Sequence, residues 1–79
     1  MTNSEKYNQA FIETFDVKEA ELSGLCYKSI PAWDSVGQMS LIAALEESFD
    51  IMFESDDIID FSSYEKGKEI MKKYNIMIC

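Results

Sequence analysis

Apolar positions along this chain follow a helical spacing in some stretches and lose it in others, and that alternation sets out the architecture. Over residues 4–15, Tyr7, Ala10, Phe11, Thr14 and Phe15 fall on one side of an i, i+3, i+4 stripe, which predicts a helix with a single buried face. Thr2, with Glu5 three residues on, matches the capping-box pattern at its start. From 16 to 33 the period breaks. Val17, Leu22, Leu25, Ile30 and Trp33 stand as isolated pegs among polar residues, with at most a helical turn over 18–22. A connection of this length in a small domain implies that its pegs pack down and that the loop has a use. Pro31 drives Ile30 toward extended geometry and stiffens the approach to Asp34. Trp33 is expected to anchor the loop by burial rather than to serve as a binding platform.

The stretch WDSVGQMSLIAALEESF, residues 33–49, restores the helical period, with Leu41, Leu45 and Phe49 on one stripe, and predicts a second helix over 35–48. A short acidic segment over 56–61 follows, with Asp56 and Asp57 suited to a helix N-terminus and Ile58, Ile59 and Phe61 expected to face inward. Ser62 with Glu65 matches a second capping box, opening a last helix whose buried side is predicted to carry Tyr64, Ile70, Met71 and Tyr74. Lys72 and Lys73 fall in its last turn, where positive charge complements the helix dipole. Gly67 lies inside this helix at a cost of about 1 kcal/mol relative to alanine, tolerable where another helix approaches closely. The apolar tail, 75–79, is expected to fold back. Met39, Met52 and Met71 are expected to give the interior an adaptable lining.

Seventy-nine residues make one domain, 1–79, near the lower limit at which a single core holds a chain folded without staples. Hydrophobic residues at 47% and aromatic residues at 13% suffice for such a core and argue against disorder. The polar N-terminal run lacks the apolar stretch of a secretory signal, and nothing reaches the length of a membrane span, so a cytoplasmic protein without membrane insertion is expected. Cys26 and Cys79 form no metal or redox motif. Reduced thiols are the expectation, although a disulfide between them, or an adventitious one through Cys79, stays open.

Fifteen acidic residues against seven lysines give a net charge of −8, and the distribution matters more than the total. No basic residue lies between Lys28 and Lys66, an interval that holds Asp34, Glu46, Glu47, Asp50, Glu54, Asp56, Asp57, Asp60 and Glu65. One face is therefore strongly negative, repelling nucleic acid and anionic membranes and steering basic protein partners toward it. A solvated surface that keeps the chain in solution accounts for the same charge. The acids lack the central glycine and terminal glutamate of a calcium loop, so no specific metal site is expected. The chain contains no histidine and its cysteines form no catalytic pair, which excludes the usual general base and argues against an enzyme.

The candidate chemistry lies at Ser35. Helix starts leave backbone donors facing outward, so a hydroxyl there is presented at the mouth of the preceding loop. Ser35 with Gln38 also matches a capping box, in which the hydroxyl accepts a backbone hydrogen bond; Asp34 is the alternative cap, which would leave the serine free. The local pattern leaves both open.

Asp34-Ser35-Val36 opening a helix, Leu41-Ile42, Ala44-Leu45-Glu46-Glu47 and Phe49-Asp50 together resemble the prosthetic-group-bearing helix of the acyl carrier protein family, and the resemblance extends over nearly the whole chain. It implies an all-α four-helix bundle, with three longer helices, one short helix and a long first loop. It also implies that Ser35, flanked by Asp34 and Val36, receives 4'-phosphopantetheine from coenzyme A and carries acyl groups on the thiol of that arm. A phosphopantetheinyl transferase, an acyl- or aminoacyl-loading ligase, and synthase or transferase enzymes with basic patches would be the partners of a monomeric carrier. Val36, Met39, Glu46, Glu47, Asp50, Asp56 and Asp57 are the expected recognition residues, and Ile42, Leu45, Ile58 and Phe61 the candidate lining of an acyl-chain pocket, with plain core the stronger reading of the same four. Asp-Ser-Leu is the commoner triplet, from which Val36 departs. Gly37 and Ser40 stand where carriers of fatty acid synthesis often have acids, which points to a specialised lipid, polysaccharide or secondary-metabolite pathway. An aminoacyl or peptidyl carrier is a close variant. An acidic helical interaction module without a prosthetic group is the alternative of another class.

Overall fold

The computed structural model describes residues 2–78; Met1 and Cys79, and with the latter both disulfide possibilities, lie outside the described residues. The described chain is helical, with four α-helices, one 3-10 helix and a single isolated antiparallel bridge between Cys26 and Ser63. Helix α1 spans Asn3–Phe15 and opens on the expected capping box: the Thr2 hydroxyl accepts the Glu5 amide at 3.1 Å and the Glu5 carboxylate accepts the Thr2 amide at 3.0 Å. It ends where Asp16 turns left-handed. The 3-10 helix Glu19–Gly24 interrupts the first loop and buries Leu22. Helix α2 spans Ser35–Phe49, α3 Ser55–Asp60 and α4 Tyr64–Lys72.

Helix α1 packs on α2, and the 3-10 helix braces both α1 and α4. The interior is built largely from rings. Phe11 sits at its centre, with centroids of Tyr7 at 4.9 Å, Tyr64 at 5.2 Å, Trp33 at 5.7 Å and Phe61 at 6.1 Å, and Phe15 stacks on Trp33 at 5.0 Å. Trp33 is wholly buried, as a peg under its loop should be. Each such side chain contributes roughly 1.5–3 kcal/mol on burial, which is how so short a chain stays folded. The Tyr7 phenol donates to the Tyr64 carbonyl at 2.7 Å, and burial raises its pKa far above the ordinary tyrosine value. The tail does fold back, with Ile76 and Ile78 buried and the Asn3 amide reaching the Met77 carbonyl at 3.4 Å.

Four expectations need correction. Helix α4 is capped by Ser63, whose hydroxyl accepts the Lys66 amide at 2.9 Å, and not by Ser62. The reason lies next door: the Ser62 carbonyl accepts the Tyr27 amide at 2.8 Å and the Tyr64 amide donates to the Leu25 carbonyl at 2.9 Å, so the bridge to the first loop holds residue 63 in the extended conformation of an N-cap. Ile59 points to solvent, because α3 is less than two turns long and buries only the side carrying Asp57 and, in part, Ile58. Of the three methionines expected inside, Met71 is buried whereas Met39 and Met52 are exposed. Lys73 is the C-cap of α4 rather than part of its last turn, and its ammonium pairs with Asp57. Among the described residues, no helix is long and apolar enough to cross a membrane.

Candidate functional site at the start of helix α2

The loop before α2 is fixed from both sides. The bridge at Cys26 ties it to residue 63, and the Lys28 amide donates to the Trp33 carbonyl at 2.8 Å while the Trp33 amide donates to Ile30 at 3.1 Å. Helix α2 then begins under Asp34, whose carboxylate accepts the Gly37 amide at 2.9 Å. Asp34 therefore performs the capping, and Ser35 stands one residue inside with an exposed side chain. Its hydroxyl lies 3.1 Å from the phenol oxygen of Tyr27, the residue that the pinned loop delivers there.

Gly37 explains how the loop comes so close. A Cβ at that position would lie 2.0 Å from the Ala32 carbonyl oxygen and 3.1 Å from the Phe15 ring. The absence of a side chain at 37 is thus a packing requirement, since any side chain there would push the loop away.

Gln38 has no capping role and serves as a crosslink. Its side-chain oxygen accepts the Trp33 indole N–H at 2.6 Å, and its side-chain nitrogen donates to the carbonyls of Ile58 at 2.8 Å and Phe61 at 2.9 Å. The orientation of the amide follows from chemistry, because an indole only donates and a carbonyl only accepts. One side chain thereby joins the loop, the start of α2 and both sides of the α3 C-terminus.

Ser35 and Tyr27 border an open cleft of about 400 Å³ between the start of α2 and α3. Met39, Ile58, Ile59 and Phe61 give it apolar walls, with Gln38 and Ser62 as its polar ones. Two of the four expected pocket residues, Ile58 and Phe61, therefore share the cleft with Ser35. Ile42 and Leu45 do not; both are buried in the core. Of the cleft's apolar walls Met39 is 56% and Ile59 78% exposed, and Val36, next to Ser35 in the chain, is 75% exposed, so much hydrophobic surface is left in water.

Among the expected recognition acids, Glu47, Asp50 and Asp56 are exposed. Glu46 is half-buried, and its carboxylate accepts the Phe53 amide at 2.9 Å, fixing the turn after α2. Asp57 is only 6% exposed and is withdrawn from the set available to a partner. It accepts the Tyr74 phenol at 2.5 Å and the Lys73 ammonium at 2.9 Å, and these two hydrogen bonds, Tyr74's first, hold its carboxyl below the usual range. Among the described residues, no three His, Cys, Asp or Glu side chains gather in a metal-binding group.

The sequence marks neither Tyr27 nor Ile59 as a neighbour of Ser35, and offers Gln38 only as its capping-box partner. Gln38 carried a signal, a polar residue one turn before Ile42 on the buried side of α2. Tyr27 carried none, since its approach depends on the bridge at Cys26. No family model, no curated protein and no solved structure matches this chain.

Proposed function

We propose that this protein is a carrier of the acyl carrier type, an acidic four-helix bundle on which Ser35 bears 4'-phosphopantetheine. The observation that carries the reading is the division of labour at the start of α2: Asp34 caps the helix, and the Ser35 hydroxyl is left exposed beside an apolar cleft. The residues present suit such a group. The hydroxyl can be approached from solvent without unfolding, its partner Tyr27 has a rotatable phenol hydrogen, and the cleft beside it has room for the first part of a flexible arm.

The arm supplies a thiol on which acyl groups travel as thioesters between enzymes. Ser35 is the acceptor in its attachment. Its oxygen forms the new bond to the pantetheine-bearing phosphorus of coenzyme A, adenosine bisphosphate leaves with the bonding electron pair, and the hydroxyl proton passes to a base on a magnesium-dependent transferase. The chain itself has no histidine and acts as substrate and shuttle, not as catalyst. Val36, Met39 and Ile59 form an apolar contact surface, and Glu47, Asp50 and Asp56 steer basic partner enzymes toward it. The neutral first turn, in which Gly37 has no room for a side chain against Ala32, favours a specialised loading ligase or synthase over the enzymes of housekeeping fatty acid synthesis.

The exposed apolar rim also suits a plain interaction module, and the two readings part at Ser35. Incubation with a broad-specificity phosphopantetheinyl transferase, coenzyme A and magnesium, followed by intact-mass measurement, should add one phosphopantetheine to the native chain and none to Ser35→Ala. An unchanged native mass, or an adduct that persists in Ser35→Ala, removes the carrier reading and leaves the interaction module.

A further inference from the structure

Ile42 and Leu45, the deep half of the expected acyl pocket, are cut off from the cleft, and the residue between the two compartments is Gln38. It lies one turn above Ile42 on α2, lines the cleft, and joins α2 to both Ile58 and Phe61 by hydrogen bonds of 2.8 and 2.9 Å. Beneath it, Trp33 and Phe61 each pack on Phe11, so the crosslink is seated on the rings of the core. Passing an alkyl chain between α2 and α3 would break three hydrogen bonds. The two carbonyls and the indole N–H would then face a group with no donor or acceptor to offer.

We propose, on the basis of the carrier reading above, that Gln38 bolts the interior shut and so fixes the cargo class: acyl groups of a few carbons, aminoacyl groups among them, held in the open cleft rather than long chains housed in the core. Short or polar cargo loses little by staying outside, since Tyr27, Gln38 and Ser62 give the cleft polar edges and Met39 and Ile59 cover a few carbons. A long chain left in water gains no such cover. Gln38 is a positioning residue in this scheme, and its substitution should change how chain length is felt at the thioester.

The test loads Ser35 with acetyl, butyryl and octanoyl pantetheine arms from the corresponding coenzyme A thioesters, then follows hydroxylamine release and thermal unfolding of each form. In the native chain the release rates of all three should agree within about twofold and Tm should not rise with chain length, because none enters the core. Gln38→Glu keeps an acceptor for Trp33 but sets a carboxylate against two carbonyls; there the octanoyl form should be protected roughly fivefold over the butyryl form. Gln38→Met, of similar length and without polar atoms, should do the same if the glutamate variant does not fold. Octanoyl protection in the native chain, or uniform release across a folded variant series, overturns the bolt while leaving the carrier reading intact. Failure of Ser35 to accept any arm overturns the carrier reading itself and the bolt with it.

Discussion

At the start of α4 the Ser63 hydroxyl accepts the Lys66 amide at 2.9 Å, whereas at the start of α2 the same kind of bond runs from Gly37 to Asp34 and Ser35 faces Tyr27. Each helix also has a glycine near its beginning, pressed from outside: Gly67 by the rings of Tyr7 and Phe61, Gly37 by the backbone of Ala32. The two starts use the same residue types for different ends. A carboxylate one position earlier relieves Ser35 of the duty that occupies Ser63. Rings press on α4 to complete the core, and a loop presses on α2 beside the exposed Ser35.

The glycines give the largest effects. By helix propensity alone, Gly67→Ala should gain about 1 kcal/mol. However, a Cβ there would lie 2.1 Å from the Tyr7 phenol oxygen and 2.3 Å from the Phe61 ring, and overpacking of this kind costs up to about 3 kcal/mol. Urea unfolding should therefore show a net loss for both Gly67→Ala and Gly37→Ala. On the proposed carrier function, only Gly37→Ala should also slow attachment at Ser35 per folded molecule, because the loop carrying Tyr27 and Trp33 must shift. Equal attachment rates in the two variants would erase the functional half of the contrast.

The caps come next. Ser63→Ala and Asp34→Ala should each lose about 1 kcal/mol in denaturant titration, and Ser35→Ala less than about 0.5 kcal/mol. A loss at Ser35 as large as that at Ser63 would mean that its hydroxyl supports the helix after all.

Much of this division was legible in advance. The stripes of α1 and α2, the Thr2–Glu5 box and the burial of Trp33 follow from spacing, because a helix of three or more turns averages over local exceptions. Short elements do not average. The six residues of α3 left Ile59 outside, where two adjacent isoleucines gave no means of telling which was buried. Glu65 three residues on favours Ser62 as the cap, and only the long-range bridge to Cys26 selects Ser63 instead. The choice between Asp34 and Ser35 was open in the sequence for the same reason, since both satisfy the local chemistry and only the backbone angles of the pinned loop decide. Asp57 shows the limit most clearly: a run of acids reads as one surface, and nothing local marks the one that α4 captures.

That captured acid supplies the smallest effect, and one that separates a structural carboxylate from those at the rim. Asp57 joins the first turn of α3, one wall of the cleft, to Lys73 and Tyr74 at the end of α4, and Tyr74 in turn accepts the Glu54 amide at 3.0 Å. Because its folded pKa lies below the unfolded value of 3.8, the unfolded chain binds more protons between the two, so Asp57 stabilises the fold fully above about pH 4 and loses that contribution as pH falls through its folded pKa. The other partners act at the alkaline end. The hydrogen bond and charge of Asp57 raise the Lys73 pKa, and burial together with the bond to Asp57 raises that of Tyr74, so their contributions are present below about pH 10 and are lost as pH rises through the folded values. Asp57→Asn should flatten both limbs of the stability profile. Part of the acid slope should remain, because hydrogen bonds from Thr2 also lower the pKa of Glu5. Asp56→Asn should leave both limbs in place and, on the proposed carrier function, weaken the salt-dependent approach of a basic partner enzyme. If Asp56→Asn flattened the profile and Asp57→Asn slowed partner association, the roles of these adjacent acids would be exchanged, and α3 would owe its position beside Ser35 to something other than the clasp.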